Sequence, residues 1–169
     1  MNRSTIRGLV VATALLAVAA SGAEAQEKTR PFAAPYLGYN VDGTEALFGA
    51  AVGIPVRVGS TQLLVTPGFE FYPFVDNASV YTINLDVHYP IFIADSKFRP
   101  YVGGGILLNR MSIDAFGTQI TDTNSQLSAI GGADFGIGAF RPFAEANLRF
   151  INDATLILKG GGKIAFGSK

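Results

Sequence analysis

From Val80 to Phe92 the chain reads VYTINLDVHYPIF, and the alternation of side-chain type along it restricts the fold more than any other feature of the sequence. Tyr81, Ile83, Leu85, Val87, Tyr89 and Ile91 fall on one face, while Thr82, Asn84, Asp86 and His88 fall on the other. Successive side chains of a strand leave opposite faces of the pleat, so a period of two marks a strand with one apolar and one polar face. An apolar face toward lipid and a polar face toward a closed lumen make one stave of a transmembrane β-barrel. Tyr81 and Tyr89 stand roughly 27 Å apart at about 3.3 Å per residue. Tilted by about 40°, that is roughly 20 Å of height, close to the apolar band of about 25 Å between aromatic girdles.

Turn signals recur at Asp42-Gly43, Gly59-Ser60, Asp76-Asn77, Asp95-Ser96, the polar run Asp114 to Asn124, Phe140-Arg141-Pro142 and Asn152-Asp153. They predict eight strands of about 10 to 14 residues, longer than the usual 5 or 6 of globular sheets and long enough to cross a membrane at a tilt. The same two faces recur in each. Phe48, Val52, Ile54, Val56 and Val58 oppose Gly49, Ala51, Gly53 and Arg57; Val65, Phe69 and Phe71 oppose Thr66, Gly68, Glu70 and Tyr72. Leu127, Ala129, Ala133, Phe135 and Ile137 oppose Gln126, Ser128, Gly132, Asp134 and Gly136, and Ala144, Ala146, Leu148 and Phe150 oppose Glu145, Asn147 and Arg149. The last strand sets Leu156, Leu158, Ile164 and Phe166 against Lys159 and Lys163. Two strands are less regular: Tyr36 joins the inner set of the first, and Arg110 shares the outer face of Val102, Ile106 and Leu108, at a rim where it can reach lipid headgroups. The fold expected is all-β, an eight-stranded antiparallel up-and-down barrel.

Its polar face would hold Glu45, Glu70, Asp86, Asp134 and Glu145 with Arg57, Arg149, Lys159, Lys163 and His88. An eight-stranded barrel has an interior just wide enough for side chains to fill, and buried charges are costly unless paired. These residues are therefore expected to form a packed ion-pair network rather than an open channel, with interior glycines leaving room for the long side chains. Charged residues make up only 15% of the chain, against about 25% in a typical soluble domain. The 13 basic and 13 acidic residues balance, so nothing in the charge argues for nucleic acid.

Ahead of the barrel, Arg3 and Arg7, the apolar run Leu9 to Ala20 and Ala23-Glu24-Ala25 have the form of a secretory signal peptide cleaved after Ala25. Residues 1–25 are read as that signal and 26–169 as the barrel domain. With no cysteine, there is neither a disulfide framework nor a cysteine for lipid attachment. If the mature chain starts in the periplasm, the turns at Gly59, Asp95 and Phe140 are periplasmic, and the loops at Asp42, Asp76, Asp114 to Asn124 and Asn152 are extracellular. Of these loops only the third, DAFGTQITDTN, is long enough to present a surface.

Arg99-Pro-Tyr-Val-Gly-Gly-Gly-Ile106, Arg141-Pro-Phe-Ala-Glu-Ala-Asn-Leu-Arg-Phe150 and the closing strand Leu156 to Phe166 resemble the small outer-membrane barrels similar to the OmpA transmembrane domain. That resemblance implies a monomer in the bacterial outer membrane with a structural or surface-interaction role. Its partners would be outer-membrane lipid and lipopolysaccharide, and the barrel-assembly machinery during insertion. It implies no cofactor, no metal and no catalysis. Enzymatic barrels of the lipid A deacylase and palmitoyltransferase kind place a His and a Ser at the outer rim, whereas the single His here is lumenal by parity. Asp86 and His88 share a face with the D-x-H spacing of an omptin dyad, but this chain affords eight strands and not ten; His88 is expected to be a hydrogen-bonded member of the lumen network. The glycine runs 103–105 and 160–162 lie within strands, where glycine marks curvature or close packing rather than a phosphate cradle. A narrow or transient pore is the alternative function, and a soluble lipocalin-like carrier with the faces reversed is a third.

Overall fold

Alternating segments become eight antiparallel strands in the computed structural model, which describes residues 30–74, 78–115, 118–136, 139–150 and 154–166, and only the backbone at 114, 115, 118 and 119. The signal-peptide reading of residues 1–25 and the turns at 76–77 and 152–153 fall outside the described residues. The strands are β1 (Phe32–Asn40), β2 (Glu45–Val58), β3 (Thr61–Tyr72), β4 (Ala78–Pro90), β5 (Phe98–Ala115), β6 (Thr118–Phe135), β7 (Phe140–Phe150) and β8 (Ala154–Ala165). Each pairs with its neighbours in sequence, and β8 pairs back onto β1, closing the ring. A closed ring leaves no strand edge within the barrel wall.

The register runs without a bulge in every pair, and followed once around the ring it climbs ten residues along the strands. With strands about 4.8 Å apart and a rise of about 3.3 Å, such a stagger tilts eight strands by about 40°. The tight connection Gly59-Ser60 joins Val58 to Thr61. Its first residue has φ +61°, the left-handed value that a two-residue hairpin demands and that glycine adopts without a Cβ clash.

Facing follows the alternation. Leu37, Phe48, Ile54, Phe69, Ile83, Leu85, Leu127 and Leu158 are exposed around the outside, while Glu70, Asp86, His88, Asp134, Glu145, Arg149, Lys159 and Lys163 are buried inside. This is the opposite of the facing that a lipocalin-like carrier requires. The lumen is also more apolar than the charge pattern suggests, for Leu47, Leu64, Leu107, Ile130 and Ile157 are buried there with Phe32, Tyr36, Tyr72 and Tyr101.

Three interior glycines explain how so many rings fit. Tyr36 faces Gly49 across β1 and β2, Phe32 faces Gly53, and Tyr101 faces Gly132 across β5 and β6. A Cβ on Gly49, Gly53 or Gly132 would come within 2.2, 2.1 or 2.6 Å of the opposing ring. The space these glycines leave is taken by aromatic rings, not by the charged side chains expected there.

Two expected boundaries are corrected. The described residues of the run Asp114 to Asn124, 114–115 and 118–124, are strand rather than loop: β5 and β6 are 18 residues each and stay in register from Phe98↔Phe135 to Ala115↔Thr118. From Ile120 to Ser125 both faces of β6 are exposed, so the apolar/polar alternation that reveals a half-buried strand is lost there. Likewise Phe140-Arg141-Pro142 opens β7, pairing with Ile164, Lys163 and Gly162. The Arg-Pro pair reads as a turn locally, but ring closure requires this segment to reach β8.

Candidate functional site

With the outer face apolar, the polar chemistry of the wall is gathered in the lumen, and two charge clusters organise it. Glu70 on β3 has no exposed surface and takes ion pairs from Arg149 on β7 and from Lys159 on β8, the latter at 2.9 Å. Tyr36 on β1 donates its hydroxyl to the same carboxylate at 3.2 Å, and Tyr72 does so at 3.4 Å. Lys159 reaches on to Glu145 at 3.3 Å, and Glu145 accepts the hydroxyl of Tyr101 on β5 at 3.0 Å. Arg149 also donates to the Tyr72 oxygen at 2.8 Å. Two acids and two bases are thereby neutralised in one hydrogen-bonded unit tying β1, β3, β5, β7 and β8 together, which is the condition under which buried charge is tolerable.

The second cluster lies nearer the Gly59 end. Lys163 donates to Asp134 at 2.8 Å, and Arg141 stands 3.7 Å from the same carboxylate. The Lys163 ammonium is also ringed by aromatics, 4.0 Å from the Tyr101 centroid, 5.2 Å from that of Phe143 and 5.3 Å from that of Phe32. Rings whose faces carry negative potential stabilise a desolvated ammonium. Arg99, opposite Asp134 in register, is buried with its guanidinium 5.6 Å over Phe92.

Between the clusters, β4 presents Asn84, Asp86 and His88 on one face. Asp86 accepts hydrogen bonds from the Asn84 amide and, at 3.4 Å, from Ser128 on β6. His88 is only 4% exposed and stacks on Tyr101, centroids 5.1 Å apart. Neither ring nitrogen has a hydrogen-bond partner among the described protein atoms. Asp86 and His88 therefore share no hydrogen bond, and the omptin-like dyad is not assembled. A cavity of about 30 Å³ lies beside them, lined in part by Thr66, Asn84, Asp86, His88, Lys159 and Lys163. Phe32, Ala34, Tyr36, Ala51 and Phe143 also line it, so it is mostly apolar with a few polar groups, and it is large enough for water at about 10–15 Å³ per molecule.

Of the ten residues expected in the network, eight are buried in the lumen. Glu45 and Arg57 are not among them. Glu45 begins β2 and is half-buried at one rim, Arg57 is exposed near the other, and neither makes an ion pair with a described residue. Parity assigns a side chain to a face but says nothing of height, and a residue at the end of a strand reaches water whichever way it points. Arg99, Tyr101 and Arg141 complete the clusters without having been expected. Alternation carried back from Ile106 would have placed Arg99 and Tyr101 inside.

No protein-family model and no curated protein matches the chain. Its fold, however, is that of the small eight-stranded outer-membrane barrels. It is similar to the N-terminal β-barrel domain of Pseudomonas aeruginosa OprF, with a TM-score of 0.68 at 14% identity over 83% of this chain and 100% of that one. Neisserial surface protein A superposes with a TM-score of 0.55 at 19% identity, covering 81% and 95%. The outer membrane enzyme PagL gives 0.51 at 13% identity, covering 80% and 99%.

Proposed function

We propose that the chain is an integral protein of the bacterial outer membrane with a structural or surface-interaction role, its lumen plugged by its own side chains and its wall taking no part in catalysis. The observation that carries this reading is the closed ring with an apolar exterior around ion pairs neutralised within the lumen. A mature chain entering from the periplasm puts the tight Gly59-Ser60 turn on the periplasmic side and the β5–β6 hairpin outside, consistent with short periplasmic and longer extracellular connections. Lipid is the surrounding partner, the assembly machinery acts during insertion, and the protein is a monomer. Against catalysis stands His88, buried and without a hydrogen bond to Asp86 or to a serine.

A narrow or transient pore is the second reading, favoured by the cavity of about 30 Å³ and the unbonded polar atoms of Thr66, Asn84 and His88 around it. The test is cell fractionation with heat-dependent gel migration, followed by planar-bilayer recording of the purified barrel. Recovery with outer membranes, a shift between unboiled and boiled samples and no more than rare small openings are expected. Recovery from the soluble periplasm would overturn the membrane reading, and steady conductance would replace the plug with the pore.

A further inference from the structure

We propose that the outward face of the β4–β5–β6 extension is a docking site for the phosphorylated sugar headgroup of an outer-leaflet glycolipid, centred on Arg110. The inference rests on the membrane reading above, and gives its lipid partner a place and a chemistry.

The register sets six side chains of one face in a grid. Tyr81, Arg110 and Thr123 face one another across β4, β5 and β6, and Ser79, Ser112 and Thr121 form the next row. Parity with Ile83, Ile106, Leu108 and Leu127, all exposed, puts both rows on the outside of the barrel. At about 4.8 Å between strands and about 6.6 Å between alternate residues, the grid covers roughly 10 by 7 Å, the size of one sugar ring with its phosphate.

Its position and composition agree. The grid sits directly above the apolar columns of the wall: Ile83 and Leu85 lie below Tyr81, Leu108 and Ile106 below Arg110. That is headgroup level, and the ring of Tyr81 is stacked on Phe69 at 6.1 Å, fixing its hydroxyl at that boundary. Among the described residues Arg110 is the only base at this end that points away from the lumen, and it makes no ion pair with a described residue. A guanidinium fork fits phosphate in a bidentate manner, and it is surrounded by five hydroxyls able to donate to or accept from sugar. Ser112 and Thr121 already stand 3.3 Å apart as a hydroxyl pair. Asp122, which would repel a phosphate, belongs to the other face by alternation, while Asp114 stands opposite Gln119 one row beyond the grid, about 13 Å along β5 from Arg110. On the side of β6 away from β5, Thr121 and Thr123 have no strand neighbour among the described residues, since β6 pairs with β7 no further than Leu127↔Phe150.

The test uses the full barrel in phosphatidylcholine nanodiscs doped with either diphosphoryl lipid A or phosphatidylglycerol, with retained lipid counted by native mass spectrometry. Wild type is expected to retain lipid A in preference to phosphatidylglycerol. Arg110→Gln should lower that retention about tenfold, the worth of one charge-assisted bond, and Arg110→Lys should fall between. Ser112→Ala with Thr121→Ala should weaken lipid A retention more than phosphatidylglycerol retention, because a phosphorylated sugar spans both rows of the grid and a single glycerol does not. Arg57→Gln, an exposed base at the opposite end, should change nothing. Unchanged retention in Arg110→Gln, equal retention of both lipids by wild type, or an equal loss in Arg57→Gln would overturn the site while leaving the barrel in its membrane. Failure of the wild type to enter nanodiscs would overturn the membrane reading, and the site with it.

Discussion

Glu70 receives four donors, from Arg149, Lys159, Tyr36 and Tyr72, and no water reaches it. Removing its charge leaves two bases buried with one acid, Glu145, between them. Glu70→Gln is therefore expected to destabilise the barrel by about 3–5 kcal/mol, measured as the urea dependence of folding into lipid vesicles. A loss below about 1 kcal/mol would mean that the lumen is wet enough to screen its charges. His88 is held by its ring rather than by a hydrogen bond. Replacing it by Gln should cost about 0.5–1.5 kcal/mol, the worth of an aromatic stack. In the same assay a loss of 3 kcal/mol or more would show that its nitrogens are bonded through the adjoining cavity. Alternation made the inward direction of both residues legible. Which charge meets which was not, because partners such as Glu70 and Arg149 are 79 residues apart and meet only across the lumen.

Among the elements, β5 and β6 depart most from expectation. The last residues of β5 pair with the first residues of β6 beyond the ring, since β6 meets β7 only from Leu127 to Asp134. The hairpin tip adds nothing to closure, and its contribution to stability is local. Deleting residues 113–120 and joining Ser112 to Thr121 through Asn-Gly, a strong two-residue hairpin turn, should leave heat-dependent migration intact and shift the unfolding free energy by less than about 1 kcal/mol. Loss of the folded gel form would instead make the extension part of the folding unit. The segment reads as a loop because polarity on both faces is equally the signature of a solvated strand. In the wall, by contrast, one face meets apolar surroundings and the other the lumen, and for β4 the period-two signal came within two residues of both observed ends.

At the scale of the whole molecule, the outside is apolar because the charged inside is enclosed, and lipid is the solvent this arrangement suits. Leu85, 44% exposed on the middle of β4, lies on that face. Leu85→Arg should cost about 2–4 kcal/mol in lipid vesicles, the depth-dependent penalty for a charge at the bilayer midplane. Folding unaltered by Leu85→Arg, together with labelling of Asn84 and Asp86 by a lipid-soluble probe, would turn the barrel inside out.

The sequence by itself determined the strand period, the number of strands and the face to which each side chain belongs, because all three are local consequences of a pleated backbone and of turn residues between apolar runs. Only the tertiary structure decided the height of each residue, the stagger of the ring and the charge pairings in the lumen. Those depend on register between strands distant in the chain, where a slip of two residues preserves every face and changes every neighbour. The same register put Glu45 and Arg57 at the rims, laid Tyr36, Phe32 and Tyr101 across the glycines opposite them, and drew Ser79, Tyr81, Arg110, Ser112, Thr121 and Thr123 into one surface.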